Sequence, residues 1–401
     1  MLRGARGTVR AACRLLPVAV FCWALPTAAA AANNETCSAK VGRTGPRDAT
    51  GIAVELVQVV VVHRHGDRAP IAQHAGVFLQ TPELEDFWKS RIPTIGEVER
   101  WGRLNKDPTG THLQRATSGS SKYSFPNGFL TGIGADQMRR VGAELRERYV
   151  GDLSFLPSDL PPTHAEELVY ARSTRVPRTI QSVQNLLLGL YPEDHRPQGQ
   201  SAQGTVLINS QDKAQDYMTG LNEKRCPRIK RHVEEADVGL KVPTNYSRLL
   251  QRLSPIVGEE DTKESEGLSG GKSDLIDRWV HLGDIGNCHL SHRITPPFNL
   301  STFEVEGVQR YNGWIWGHRL TNSPGLNALA IGGFLKDLLA VFADTIAGKT
   351  QPGTSAPKMA IFSGHDSTLF PLLTALGAFD GSWPPYASRV QVGVIGARFH
   401  G

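Results

Sequence analysis

Residues 57–71, Val-Gln-Val-Val-Val-Val-His-Arg-His-Gly-Asp-Arg-Ala-Pro-Ile, constrain the fold more than any other stretch. The run 59–62 has no polar face, which predicts a strand buried on both sides, as in a parallel sheet. Gly66 lets the backbone turn tightly, and Pro70 blocks a return to the strand. In open α/β sheets, ligand-handling groups gather at the carboxyl ends of strands. Here that end carries Arg64, His65 and Arg68. Two guanidiniums beside one imidazole suit a doubly charged anion with a nucleophile inside the site. A solvated basic loop is the plain alternative, but such a loop does not need Arg-His-Gly-x-Arg-x-Pro at five fixed positions.

The pattern of strand, polar turn and helix recurs. Leu168, Val169 and Tyr170 predict a short strand ending in Arg172-Ser173-Thr174, then a helix with Ile180, Val183 and Leu187 on one face. Residues 359–363 predict a third buried strand. It ends in Gly364-His365-Asp366-Ser367-Thr368, before a helix carrying Leu369, Leu372 and Leu376. Two further helices are predicted. In one, Met138, Val141, Leu145 and Tyr149 form the apolar stripe. The other is opened by Ser323-Pro324 and buries Leu335, Leu338, Phe342 and Ile346 before Gly348. This is the α/β class, a mostly parallel central sheet flanked by helices.

Residues 51–75, 129–192 and 326–401 make up the expected catalytic core. Residues 76–128, with a Gly/Ser/Thr-rich tract over 107–128, read as an irregular insertion forming a rim. Residues 193–325 read as a second insertion, interrupted by polar tracts at 195–204 and 258–272. Its basic stretch 224–232 precedes Glu234 and Glu235 and reads as a solvated helix face.

The formal net charge is +5. Arg3, Arg6, Arg10 and Arg14 all lie ahead of the first acidic residue, Glu35, and the rest of the chain is close to neutral. Nothing in that balance points to nucleic acid or an anionic surface as a partner. Residues 15–25 are an apolar block of signal-peptide length, followed by Pro26-Thr27 and A-x-A cleavage choices among the alanines. The expectation is a signal peptide over 1–31 and a secreted or endomembrane, lysosome-like destination. A mitochondrial presequence is the alternative. The block is too short for a comfortable transmembrane helix, so no stable span is expected. Asn34, Asn245 and Asn299 begin glycosylation triplets in form. Past the leader, Cys37, Cys226 and Cys288 remain. They allow one disulfide and one free thiol in any of three pairings.

Arg64-His65-Gly66-Asp67-Arg68-Ala69-Pro70 resembles the signature of the histidine acid phosphatases, a branch of the histidine phosphatase superfamily. Gly128-x-Leu130-Thr131-x-x-Gly134-x-x-Gln137 resembles the start of that family's first helix, with Phe129 where Gln is usual. Arg172-Ser173-Thr174 resembles its second phosphate-binding segment, and residues 363–388 its C-terminal signature. Within that signature, Leu376-Gly377-Ala378-Phe379-Asp380 with Trp383-Pro384-Pro385 is similar to the lysophosphatidic acid phosphatase group. The resemblance covers roughly residues 55–190 and 325–388, and alternation over 390–395 predicts one more strand.

The resemblance implies a helical cap from 193–325 and a phosphomonoester hydrolase acting through a phosphohistidine. In it His65 is the nucleophile and Asp366 the proton donor. Arg64, Arg68, Arg172 and His365 bind phosphate, and no metal or other cofactor is needed. Arg178 has no match and reads as structural or surface, His63 as packed, and Asp67 as an orienter of the loop. The expected partner is a small phosphomonoester, such as lysophosphatidic acid, and a dimer is compatible with the sequence. The alternatives are a phytase-like inositol phosphate phosphatase and an inactive binding glycoprotein of the same fold. A mutase-like transferase fits less well, because such relatives have no second arginine at the position of Arg68.

Overall fold

The structure, a computed structural model, describes residues 18–23, 54–71, 81–114, 125–197, 204–221, 226–257, 272–347 and 356–397. Its strands are β1 (Val18–Trp23), β2 (Val54–Arg64), β3 (Asn105–Lys106), β4 (Val169–Ser173), β5 (Val206–Asn209), β6 (Met359–Gly364) and β7 (Arg389–Ala397). They form one sheet in the order β1-β7-β2-β6-β4-β5-β3. From β2 to β3 every neighbouring pair is parallel. β7 runs antiparallel to both β2 and β1. The mostly parallel α/β sheet expected from the sequence is present.

The helices are α1 (Pro82–Arg91), α2 (Ile95–Leu104), α3 (Gly132–Arg146), α4 (Ala165–Leu168), α5 (Pro177–Leu190), α6 (Arg228–Ala236), α7 (Ser247–Val257), α8 (Lys272–Ser291), α9 (Thr302–Asn322), α10 (Pro324–Ile346) and α11 (Asp366–Ala375). The valine run of β2 shows why it needs no polar face. Val59 and Val61 join the core formed with α3 and α5, where Met138, Val141, Ile180 and Val183 lie. Val60 and Val62 point the other way, into the core of Ile331, Phe334, Leu369 and Leu372 from α10 and α11. β6 alternates in the same manner, with Met359 and Ile361 on the first face and Ala360 and Phe362 on the second. Each buried side chain of this size contributes about 1.5–3 kcal/mol, so the two layers fix the register of the strand that carries the site.

Helix α3 begins where Thr131 accepts a hydrogen bond from Gly134 N, and it buries Met138, Val141 and Leu145 as expected. Ser323 caps α10 as expected. The face that α10 buries is Leu326, Ala330, Ile331, Phe334 and Leu338. Leu335 and Phe342 are half-buried, and Ile346 is exposed rather than in the expected stripe. Among the described residues, α10 is the helix long and apolar enough to cross a membrane. Phe334 and Leu338 pack it on the sheet.

Three placements differ from expectation. The segment expected as an irregular rim contains α1 and α2, whose first turns are capped by Thr81 and by a Thr94–Glu97 capping box. Strands β3 and β5 come from the segments expected as insertions, yet they complete one side of the sheet. Strands of two and four residues leave almost no periodic signal. Third, β1 lies inside the expected leader and pairs with β7. Helices α7, α8 and α9 build a separate core around Trp279, Leu282, Val308 and Tyr311. The polar tract 258–271, most of the Gly/Ser/Thr-rich tract (115–124), Cys37, Asn34, and Lys224 and Arg225 of the basic stretch lie outside the described residues.

Candidate active site

The loop after β2 is held from three sides. His65 N donates to Gly364 O at 3.1 Å, Arg64 N to Ser388 O at 2.9 Å, and Ala387 N to His65 O at 3.0 Å. The start of α3 presses against the turn itself. A Cβ on Gly66 would sit 2.3 Å from Gly134 O, and one on Gly134 would sit 2.1 Å from Asp67 O. The two glycines are therefore mutual, because each permits the backbone approach that the other also needs. Asp67 N donates to Gln137 Oε1 at 2.8 Å. The Asp67 carboxylate accepts from Thr131 Oγ1 at 2.6 Å and from His292 Nε2 at 2.7 Å. Asp67 thus orients the loop, in line with the sequence reading.

His65 is 2 % exposed. Its Nδ1 lies 2.8 Å from Gly66 O. A carbonyl can only accept, so Nδ1 carries the proton and Nε2 keeps its lone pair. Burial, then the charges of Arg178, Arg64 and Arg68, hold this ring well below the ordinary histidine range. A neutral imidazole with a free Nε2 is a nucleophile. His63, one strand position before Arg64, is buried, donates from Nδ1 to Arg64 O, and is pushed down to about 4 by burial. It is a packed residue, as expected.

Arg64 donates from Nη1 to Pro384 O at 2.5 Å, and its Nη2 lies 2.8 Å from Asp366 Oδ2. Its guanidinium also lies over the Tyr386 ring at 4.3 Å. Arg68 pairs end-on with Asp284, Nη1 to Oδ2 at 3.0 Å and Nη2 to Oδ1 at 2.8 Å. Among the described residues, Arg64 Nε and Arg68 Nε are buried donors without an acceptor. Such donors suit an anion with several oxygens.

The third arginine is not the expected one. Arg172 points away, donating to Asp337 at 2.7 Å, Gln211 at 2.9 Å and Asp216 at 3.1 Å. Strand alternation explains this. Arg172 shares the face of Tyr170, toward α10, which carries Asp337. Arg178 takes the expected place instead. It sits in the first turn of α5, and its Nη2 lies 3.5 Å from His365 Nδ1. It is the foremost positive charge acting on both His65 and His365.

His365 and Asp366 open α11 and meet the loop at the end of β6. Because Arg178 can only donate, His365 Nδ1 accepts, and Nε2 donates to Thr174 Oγ1 at 2.9 Å. The His65 and His365 rings are 5.6 Å apart. Asp366 Oδ1 accepts from Ser367 N at 2.7 Å, and Oδ2 accepts from Trp383 Nε1 at 3.2 Å. Burial pushes this carboxyl up, but Arg64, Arg68 and His365 outweigh it, and the group lies below the ordinary aspartate range.

The structure thus gathers His65, Arg64, Arg68, His365 and Asp366, and adds Arg178, Asp284, His292, Trp383 and Tyr386. Of the added groups, Asp284 lies on α8 four residues before Cys288, and His292 follows just past the end of that helix. Cys226 and Cys288 are free thiols, which removes their mutual pairing. Among the described residues no cluster of His, Cys, Asp and Glu is arranged to hold a metal ion.

The profile of the histidine phosphatase superfamily (branch 2) matches residues 55–266. Lysophosphatidic acid phosphatase type 6 of Bos taurus is 27% identical over 344 residues, covering 83% of this chain and 72% of its own. A probable acid phosphatase of Schizosaccharomyces pombe is 26% identical over 356 residues, covering 84% and 72%. Counting factor 60 of Dictyostelium discoideum is 27% identical over 348 residues, covering 85% and 76%. Among solved structures, the apo form of Hafnia alvei phytase superposes with a TM-score of 0.51 at 16% identity, covering 85% of this chain and 81% of that one. That likeness concerns the fold.

Proposed function

The chain belongs to branch 2 of the histidine phosphatase superfamily, and we propose that its phosphomonoesterase chemistry runs through a phosphohistidine formed at His65. The observation that carries this is the buried neutral ring whose Nδ1 is committed to Gly66 O, surrounded by Arg64, Arg68 and Arg178. His65 Nε2 attacks phosphorus in line with the ester oxygen. The P–O bond to the leaving group breaks as the P–N bond forms. The guanidiniums hold the phosphoryl oxygens, supplying fixed positive charge where negative charge is concentrated.

The leaving oxygen needs a proton, which Asp366 supplies. A phosphate dianion draws Arg64 onto its own oxygens and sets a negative charge beside the carboxyl. Both effects raise the proton affinity of Asp366. Asp366 therefore becomes an acid in the complex, although its ion pair with Arg64 favours the carboxylate here. Water then attacks the phosphohistidine and gives its proton to Asp366. Inorganic phosphate leaves, and the ring returns to its neutral form. The test is phosphate release from p-nitrophenyl phosphate near pH 5. His65→Ala should lower the rate by at least about a thousandfold, and an active His65→Ala enzyme would refute the assignment.

The proposed substrate is a small or lipid-like phosphomonoester such as lysophosphatidate. The 376–385 segment supports this reading, as do sequence relatives named lysophosphatidic acid phosphatase. A phytase-like activity is the alternative. The comparison is kcat/KM for lysophosphatidate, p-nitrophenyl phosphate and phytate at pH 5, and a clear preference for phytate would favour the alternative.

We further propose a secreted or lumenal glycoprotein, on the strength of the apolar block 15–25 and of the exposed Asn245 and Asn299. On this reading, cleavage at 1–31 removes β1 and leaves β7 at the sheet edge. N-terminal sequencing of the mature protein tests it, and retention of residues 18–23 would argue that β1 is permanent.

A further inference from the structure

Helix α8 and the turn after it place Asp284, Cys288 and His292 four residues apart, on one face. Each touches the nucleophile loop or its neighbour. Asp284 grips Arg68, His292 donates to Asp67, and Cys288 Sγ lies 3.2 Å from the Tyr386 hydroxyl. Tyr386 Oη in turn donates to Asp284 Oδ1 at 3.4 Å. Burial holds the Tyr386 hydroxyl and the Cys288 thiol well above their ordinary values, so both stay protonated and able to donate. The order of donation is therefore Cys288 to Tyr386 to Asp284, with Arg68 donating to the same carboxylate.

We propose that Asp284 is a positioning residue that sets Arg68 for phosphate binding, which makes α8 part of the site. This rests on the phosphatase reading given above. Arg68 lies on a loop, and a long side chain there has many rotamers to lose. The end-on pairing with Asp284 uses Nη1 and Nη2 together and fixes the plane of the guanidinium. It leaves the Nε edge free, and Arg68 Nε is a buried donor without an acceptor among the described residues. Phosphate oxygens can meet that edge without displacing Asp284. The side chains of Arg68 and Asp284 are 5% and 13% exposed, so water does little to replace the pair if it is broken. A competing role predicts the opposite sign. If Asp284 instead competed with phosphate for Arg68, removing its charge would tighten phosphate binding.

The test is a double-mutant cycle of Asp284→Asn and Arg68→Ala on the full chain. It is read as kcat/KM for p-nitrophenyl phosphate and as Ki for inorganic phosphate. Asp284→Asn alone should raise Ki by roughly tenfold, and in the Arg68→Ala background it should change Ki by less than about twofold. Independent multiplication of the two effects, or a lower Ki in Asp284→Asn, would overturn the proposal. Should Asp284→Asn fail to fold, Asp284→Glu keeps the charge but shifts the carboxylate by one methylene. It should also raise Ki, and an unchanged Ki would count against the proposal. Arg68→Ala as active as the parent enzyme would instead refute the phosphate-binding reading of the loop.

Discussion

Arg64 Nη2 and Asp366 Oδ2 lie 2.8 Å apart, so the residue before the nucleophile holds the proton donor. The pair links charge binding to acid strength, because the phosphate that draws on Arg64 also relieves Asp366 of its ion pair. Asp366→Asn should therefore slow alkyl phosphates by about a hundredfold or more, and p-nitrophenyl phosphate far less. Nitrophenolate leaves without a proton, whereas an alkoxide needs one. Steady-state kinetics on the two substrates measures the split, and equal losses would reduce Asp366 to the cap of α11.

Trp383 donates to the same carboxylate oxygen and packs at a tilt against Phe370, with ring centroids 5.4 Å apart. Trp383→Phe keeps the ring and removes the N–H. A hydrogen bond donated to the ionised carboxylate favours that form, so its loss should raise the pKa of Asp366. The alkaline limb of the rate profile on alkyl phosphates should move to higher pH, with a several-fold loss of kcat from poorer placement of the acid. An unmoved limb would show that this bond does not reach the proton donor.

Arg178 and Arg172 should part company. Arg178→Ala should lower kcat/KM by about two orders of magnitude while the protein stays folded. Arg172→Ala should act mainly on stability. It leaves Asp216 buried beside a missing partner, a change that costs about 3–5 kcal/mol in comparable pairs. Denaturant unfolding together with kinetics separates the two effects, and a fully stable but inactive Arg172→Ala enzyme would reverse the assignment.

Stability should depend on acid in two windows. The folded protein holds His63 at about 4 against 6.5 for the free side chain. As pH falls the unfolded chain binds that proton first, so stability is lost between about 6.5 and 4, by about 3 kcal/mol. Asp107 is held at about 2 against 3.8, because bonds from His112 and Thr109 outweigh the burial that pushes it up. Its contribution is present above 3.8 and is lost as pH falls toward 2. Unfolding midpoints from pH 7 to pH 4 should decline less in His63→Gln than in the parent, and parallel curves would contradict this.

How far the sequence discloses this molecule follows from the range of the forces involved. The valine run of β2 and the stripe of α3 are local patterns, and both emerged as read. Asp67 took its loop-orienting role from the family resemblance, since the residues that hold it, Thr131, Gln137 and His292, lie 64, 70 and 225 positions away. The choice between Arg172 and Arg178 was not readable. It turns on which side of β4 faces α10, and so on Asp337, which lies 165 positions from Arg172. Asp284 escaped for the same reason, with 216 positions between it and Arg68. Strands β3 and β5 are too short to show alternation, so only the assembled sheet reveals them.

The phosphohistidine itself can be observed. The enzyme is mixed with 32P-labelled substrate, quenched within milliseconds, and split into acid- and base-treated portions. A label that is stable in base, lost in acid and mapped by digestion to the peptide containing His65, and absent from His65→Ala, is the predicted result. Full turnover with no covalent label at any quench time, or a label retained by His65→Ala, would contradict nucleophilic attack by this histidine.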